Sequence, residues 1–176
     1  MKYLIILLFS FFFCCKKTIG QYDKKAYSYL PSVIKNADSI VFISHKQTHG
    51  IMVINKKGKP QPADKVVMNG KINTRLIASR KKITESLKVQ LIAIFNSHDP
   101  DSIITSCNTF IPFHSMLIFK DGKIAIVEIS FGCHLYSFPY HNSIPSDLYT
   151  AQSLMLSALF KANGIDPNVV NFILRD

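Results

Sequence analysis

Two short apolar stretches flank a tight-turn pair near the middle of the chain, and together they predict a β-hairpin. The stretches are HSMLIFK, residues 114–120, and KIAIVEISF, residues 123–131. Between them lies Asp121-Gly122, a pair that favours a two-residue turn because both residues tolerate positive φ. The hairpin is the most strongly marked element of the sequence.

The two-residue turn also sets the register of the hairpin. It places Ser115 opposite Glu128 and His114 opposite Ile129, so His114 and Glu128 fall on opposite faces. Both faces are mainly apolar, which is typical of strands in the middle of a covered sheet. A carboxylate there needs a partner or holds its proton. Glu128 is therefore either a strand-end residue that reaches solvent or a lysine, or a functional carboxylate.

Alternating and β-branched residues upstream predict a meander of strands in the first half. The predicted strands cover residues 38–45, 50–55 and 66–73. The last of them turns at Asn69-Gly70, a strong hairpin signal. His45 and His49 flank the turn between the first two strands, and their four-residue spacing suits a metal only on a helix. We interpret both as turn residues.

Apolar residues at three- and four-residue steps predict helices elsewhere. Two main helices are expected over residues 84–98 and 147–165, capped by Thr84 and ended by Gly164. A short helix is expected within residues 21–36, limited by Pro31, and another closes the chain from residue 166. The fold class is therefore α+β: an antiparallel sheet built from hairpins, two main helices and a short C-terminal helix.

The N-terminus carries a run of apolar residues that predicts export. The run extends from Tyr3 to Phe13 with Ser10 as its one polar exception. It is too short to span a bilayer, which needs roughly 20 apolar residues, and it has the size of the apolar part of a signal peptide. We expect residues 1–20 to be a signal segment and tether, and residues 21–176 to form one domain.

Two cysteines end the apolar run and suggest lipidation. Cys14 and Cys15 resemble the end of a bacterial lipoprotein signal, and Cys15 fits better because a smaller residue precedes it. The rival is ordinary cleavage after Thr18-Ile19-Gly20. We favour the lipoprotein, held to the membrane by an N-terminal lipid. Lipidation explains why cysteines end the apolar run, whereas ordinary cleavage does not require cysteines at these positions.

Charge is distributed unevenly along the chain. Residues 21–90 hold fourteen Lys/Arg and four Asp/Glu, a net charge of +10, whereas residues 91–176 carry a net charge of −3. A basic half suits an anionic membrane surface, an acidic partner or simple solvation. Nucleic acid is not expected as a partner, because the basic residues are not interleaved with aromatics and the protein is predicted to be exported.

Cys107 and Cys133 bracket the hairpin, and the fold of the hairpin brings them to the same end as His114. An exported chain meets an oxidising compartment, so we favour a Cys107–Cys133 disulfide. Closing this loop of about 26 residues would stabilise the fold by roughly 3–4 kcal/mol. Two free structural thiols remain an alternative.

Two chemical alternatives use the same end of the hairpin. A zinc site would take Cys107, His114, Cys133 and either His134 or His141, although the spacing matches no compact zinc pattern.

A hydrolase would use Cys107 or Cys133 as nucleophile, His114 as base and Glu128 as orienting group. The register counts against this triad, since it separates His114 from Glu128. We therefore expect no metal and no cofactor, and we favour a binding role over catalysis.

Aromatic residues follow the hairpin closely. These aromatic side chains either pack the end of the sheet or form the floor of a cleft for a small molecule or glycan. They are Tyr136, Phe138 and Tyr140, with Phe131 before them. With His114 they are the candidate binding residues.

The segment CNTFIPFHSMLIFKDGKIAIVEISFGC, residues 107–133, resembles a group of small Bacteroidota-type lipoproteins and secreted proteins of uncharacterised activity. The resemblance covers about 60 residues and includes the helix that ends in Asn-Gly-Ile. It implies that this end of the hairpin acts as a unit. A third cysteine expected near the last helix is absent here, which argues against a three-cysteine metal site. The matching positions are Cys107, Pro112, His114, Glu128, Ile129, Phe131 and Cys133.

The sequence therefore predicts a cell-envelope lipoprotein on the periplasmic or surface face. Its role is predicted to be binding a protein or small molecule, or structural, with a disulfide that fixes a recognition surface around His114. The alternative is a small hydrolase or zinc-dependent enzyme that uses the same residues.

Overall fold

The structure, a computed structural model, describes residues 24–46, 52–54, 57–62, 65–97, 110–138 and 146–168. The helices in this part are α1 (Lys24–Lys35), α2 (Glu85–Asn96) and α3 (Thr150–Ala162). The first six strands are β1 (Ser39–His45), β2 (Met52–Ile54), β3 (Pro60–Pro62), β4 (Val67–Met68), β5 (Lys71–Ile72) and β6 (Ile77–Lys82). The last four are β7 (His114–Lys120), β8 (Lys123–Ser130), β9 (Leu135–Ser137) and β10 (Ser146–Asp147). The α+β class is confirmed.

Six strands form one sheet in the order β10-β9-β8-β7-β1-β6, and every neighbouring pair is antiparallel. The predicted register of the central hairpin is confirmed: Ser115 pairs with Glu128, and His114 with Ile129. The turn residue Asp121 has φ 48°, the left-handed conformation that a two-residue hairpin turn requires. As predicted, the hairpin lies inside the sheet.

The predicted meander of the first half is only partly correct. β1 does not pair with the strand that follows it, but lies between β7 and β6. β2–β3 and β4–β5 form two separate two-stranded hairpins, the second of which turns at Asn69-Gly70 as predicted. The physical reason is that β1 is apolar on both faces. Phe42 and Ile43 point to opposite sides and are both buried, which is typical of a strand in the covered middle of a sheet.

β6 was not predicted from the sequence. Its residues, IASRKK, include three basic side chains and lack a regular apolar alternation. The strand lies at the edge of the sheet and is largely exposed, so packing places little demand on its composition. Charged side chains on an edge strand also oppose further strand pairing.

The main core lies between one face of the sheet and the three helices. Leu30 of α1, Leu91 of α2 and Phe160 of α3 are completely buried against it. Phe42 of β1 stacks on Phe160 with ring centroids 4.1 Å apart and an interplanar angle of 11°. This face holds most of the buried apolar side chains of the described residues.

The other face of the sheet is only half covered. Ile43, Leu117 and Val66 are buried there, under the β4–β5 hairpin. Phe119 and Ile126, on the same face, remain partly exposed.

The helix limits follow local sequence signals, with one correction. The Thr84 hydroxyl accepts from the backbone N–H of Leu87 at 3.3 Å, so it caps α2 as predicted. After α3, Gly164 has φ 77°, the conformation expected at a helix end. Pro31, however, does not limit α1, which runs through it to Lys35. Pro31 is buried, and α1 tolerates the one backbone donor that a proline lacks.

Several sequence predictions lie outside the described residues. These are the signal segment over residues 1–20 with Cys14 and Cys15, and the C-terminal helix beyond residue 168. Within the described ranges, no helix combines the length and apolar character that crossing a bilayer requires.

Candidate functional site

The end of the β7–β8 hairpin opposite its turn carries two of the predicted site residues. β7 begins at His114, and the chain that leaves β8 makes a 3₁₀ turn over Phe131–Cys133. Cys133 ends this turn and has an interaction partner. Because Cys107 lies outside the described residues, the Cys107–Cys133 pairing stays a prediction.

His114 is buried, with 2% of its surface exposed. Its Nε2 lies 2.9 Å from the carbonyl oxygen of Asp166, to which it donates as an N–H. The ring packs between Phe131 and Phe160, with centroid distances of 5.2 and 5.9 Å. Burial lowers the pKa of the imidazole. His114 therefore ties the start of β7 to the segment after α3 as a neutral ring.

A cleft of about 520 Å³ opens at this end of the hairpin. We call it the hairpin-end cleft. It is bounded by the start of β7, the turn after β8, one side of α3 and the segment after α3. The lining includes Phe113, His114, Phe131, Cys133, His134, Ser153, Ser157, Pro167 and Asn168. Its volume lies within the roughly 300–1,000 Å³ of small-molecule sites.

A histidine–serine pair lies in the wall of the cleft. Nδ1 of His134 lies 2.8 Å from Oγ of Ser153 on α3. His134 has φ 52°, and this left-handed conformation ends the 3₁₀ turn before β9. The hydrogen bond fixes the His134 ring, which is partly exposed, while Ser153 is buried. The sequence indicated His134 only as an alternative zinc ligand, and no motif pointed to Ser153.

The predicted aromatic binding residues lie elsewhere. Tyr136 and Phe138 are buried at 1% and 7% exposure, and both belong to the main core. Tyr136 packs edge-on against Phe95 at 5.8 Å, and burial raises the pKa of its phenol to about 12. Both side chains pack the end of the sheet, which was the other interpretation of the aromatic cluster. Tyr140 lies outside the described residues.

Glu128 is separated from His114, as the register predicted. It lies opposite Ser115 and Ser137, on the face of the sheet away from the three helices. It is partly exposed and has interaction partners. The orienting role in a Cys/His triad therefore has no geometric support.

A second histidine–serine pair is buried on the same face as Glu128. Nε2 of His45 lies 2.9 Å from Oγ of Ser115, and Nδ1 of His45 lies 2.8 Å from the carbonyl oxygen of Lys46. Nδ1 therefore carries the proton, and Nε2 accepts from the serine hydroxyl. Both side chains have 0% exposure. The arrangement resembles a nucleophile with its base, but complete burial makes it a structural link between β1 and β7.

The interpretation of His45 as a turn residue is wrong, because it is the last residue of β1. The error arises because the β1–β7 pairing joins segments about 70 residues apart, and no local pattern predicts it. The available signal was the strand period, which places His45 on the same face as the buried Ile43.

The two buried histidines predict a stability loss in mild acid. Burial lowers the pKa of both His45 and His114 below the ordinary value of about 6.5. Below that pH the unfolded chain binds protons that the folded protein excludes, so stability falls as the pH falls. The slope approaches about 1.4 kcal/mol per pH unit for each such histidine. Urea unfolding between about pH 7.5 and pH 5 measures it.

An NMR titration of the imidazole signals in the folded protein gives the matching direct test. Both buried rings are expected to stay neutral at a pH where the unfolded chain is already protonated. A pKa of His45 or His114 at or above about 6.5 would contradict the interpretation.

The two chemical alternatives are not supported by the described geometry. The described residues contain no group of three or more His, Cys, Asp or Glu side chains placed to hold a metal ion. Nε2 of His114 donates to the Asp166 carbonyl, so this nitrogen is not available as a ligand or base. Glu128 lies on the other face of the sheet, and Cys107 lies outside the described residues.

No family model, no curated protein and no solved structure matches the chain. The resemblance to small Bacteroidota-type lipoproteins stays a prediction, and function is argued from the geometry of the site.

Proposed function

We propose that the protein is a cell-envelope lipoprotein that acts as a binding module without catalysis, and that the hairpin-end cleft receives its ligand. Export and lipidation rest on the N-terminal sequence pattern. The binding role rests on the cleft and on the fixed state of the side chains around it.

The observation that carries the proposal is the convergence of separate segments on one cleft of about 520 Å³. His114 is fixed by Asp166 and His134 by Ser153, and the proposed disulfide would fix Cys133. Side chains held in this way keep the shape of a site before the ligand arrives, which lowers the entropic cost of binding. The proposed disulfide would leave no free thiolate at Cys133.

The lining indicates the class of ligand. The described residues of the cleft include no Lys, Arg, Asp or Glu. They offer the aromatic rings of Phe113 and Phe131 and the hydroxyls of Ser153 and Ser157. Apolar surface with a few hydroxyl groups suits a neutral ligand that has an apolar face and its own hydroxyl groups, such as a sugar.

Ligand-observed NMR with a panel of neutral and N-acetylated sugars tests the proposal. We expect saturation transfer to at least one sugar in the wild-type protein. Ser157→Tyr, which fills the cleft from α3, should abolish the transfer. Ser86→Tyr provides the matched control, since Ser86 is exposed on α2 and does not line the cleft.

Equal thermal stability of the two variants confirms that both are folded. Absence of transfer to every sugar would contradict the proposed ligand class. Equal transfer in Ser157→Tyr and wild type would exclude the hairpin-end cleft as the site.

A further inference from the structure

A larger groove, of about 700 Å³, lies on the opposite face of the sheet. Its floor consists of Val41 and Ile43 from β1 and of Leu117 and Phe119 from β7. Ile72 of β5 contributes to one wall. Three of these five side chains remain partly exposed, because the β4–β5 hairpin covers only part of this face. We call it the basic groove, for the side chains at its other wall.

Two cations stand beside this apolar floor. Arg80 pairs across the strands with Ile43, and Lys82 pairs with Val41. Cross-strand partners share a face of the sheet, so both cationic side chains lie on the side of the apolar floor. Both are exposed and belong to the residues that line the groove.

Neither cation is neutralised within the described part of the protein. Its ion pairs engage Lys88 and Lys120, and none involves Arg80 or Lys82. The segment from residue 65 to residue 82, which forms β4, β5 and β6, contains six Lys/Arg and no Asp/Glu. The groove thus combines an apolar floor with a positive wall that lacks a counter-charge from its own segment.

We propose that the basic groove binds a single-chain anionic amphiphile. The acidic head group, a carboxylate or a phosphate, contacts Arg80 and Lys82. The alkyl chain covers the partly exposed floor at Val41 and Phe119. The site lies on the other face of the sheet from the hairpin-end cleft, and it does not depend on the function proposed for that cleft.

The proposal joins two observations that each lack an explanation within the fold. An alkyl chain that covers the partly exposed apolar residues removes them from water, which is favourable. Exposed cations attract an anion most strongly beside a surface of low dielectric. A neutral alkyl chain would cover the apolar floor but leave the cations without a counter-charge. A small inorganic anion would neutralise the cations but leave the apolar floor in water. An anionic amphiphile satisfies both.

Isothermal titration calorimetry with dodecanoate, dodecyl phosphate and dodecanol tests the proposal. We expect both anions to bind the full chain. Arg80→Gln/Lys82→Gln should weaken binding of both anions about tenfold or more. Lys35→Gln/Lys161→Gln removes the same charge from exposed positions on α1 and α3, and should bind like wild type.

The probes also separate two sources of the ligand. Tighter binding of dodecyl phosphate supports a lipid-type phosphate head group, and tighter binding of dodecanoate supports a free fatty acid. Affinity for either anion should fall when NaCl is raised from about 50 mM to about 500 mM.

Three results would overturn the proposal. These are dodecanol binding as tightly as the anions, no binding of either anion, and unchanged affinity in Arg80→Gln/Lys82→Gln. Because both substituted residues are exposed, the variant is expected to fold, and circular dichroism checks this. A failure here leaves the sugar test of the hairpin-end cleft unaffected.

Discussion

Replacement of Phe160 by alanine is expected to lower the free energy of unfolding by about 3–5 kcal/mol. Phe160 has 0% exposure and lies where the main core meets the hairpin-end cleft. Its ring stacks on Phe42 at 4.1 Å and meets Phe131 edge-on at 5.3 Å. The substitution removes both contacts and opens a cavity beneath His114.

Urea unfolding followed by circular dichroism measures the loss. Leu154→Ala is the matched control, because Leu154 lies on the same helix with 64% exposure. It should change the free energy of unfolding by no more than about 0.5 kcal/mol. Equal effects of the two substitutions would show that α3 does not pack on the sheet through Phe160.

Replacement of Cys133 by serine is expected to cost about 3 kcal/mol of stability under oxidising conditions. The predicted bond between Cys133 and Cys107 would close a loop of about 26 residues. The chain-entropy model attributes the loss to the greater freedom of the unfolded chain without the bond. Wild type treated with a reductant should lose the same amount.

Cys107→Ser identifies the partner in the same unfolding experiment. If the predicted pair is correct, Cys107→Ser, Cys133→Ser and the double variant all lose the same free energy, because each removes the same bond. A Cys107→Ser protein as stable as wild type would assign another partner to Cys133.

The sequence predicted those parts of the fold that depend on neighbouring residues. The β7–β8 hairpin has its turn, its register and the separation of His114 from Glu128 encoded within 17 residues. Helix α2 carries its own cap at Thr84. In each case local turn or capping chemistry agrees with the apolar pattern, so the two signals reinforce each other.

The parts that could not be predicted depend on contacts between distant segments. Nothing near β1 indicates that it pairs with β7, so the link between His45 and Ser115 stayed hidden. β6 pairs with β1 across 31 or more residues and has the composition of a solvated segment. The basic groove is formed where these strands meet, so its apolar floor could not be predicted from the sequence. The uneven charge of the chain was the one sequence feature that indicated its basic wall.

The candidate site shows the same division. Local sequence placed His114 and Cys133 at one end of the hairpin, and the structure places them there. It did not reveal that α3 contributes Ser153 and Ser157 to the cleft. The sequence predicted Tyr136 and Phe138 as candidate binding residues, but both belong to the main core, on the side of the sheet where the helices pack.

Intact mass of the protein purified from its native envelope, alkylated with and without prior reduction, is the most direct test of a disulfide-stapled lipoprotein without catalytic thiols. We expect Cys107 and Cys133 to be labelled only after reduction, and the N-terminus to carry acyl mass on Cys15 or Cys14. Labelling of both cysteines without reduction would contradict the disulfide and would favour the enzyme or zinc alternatives. A chain that begins at Gln21 would contradict the lipid anchor.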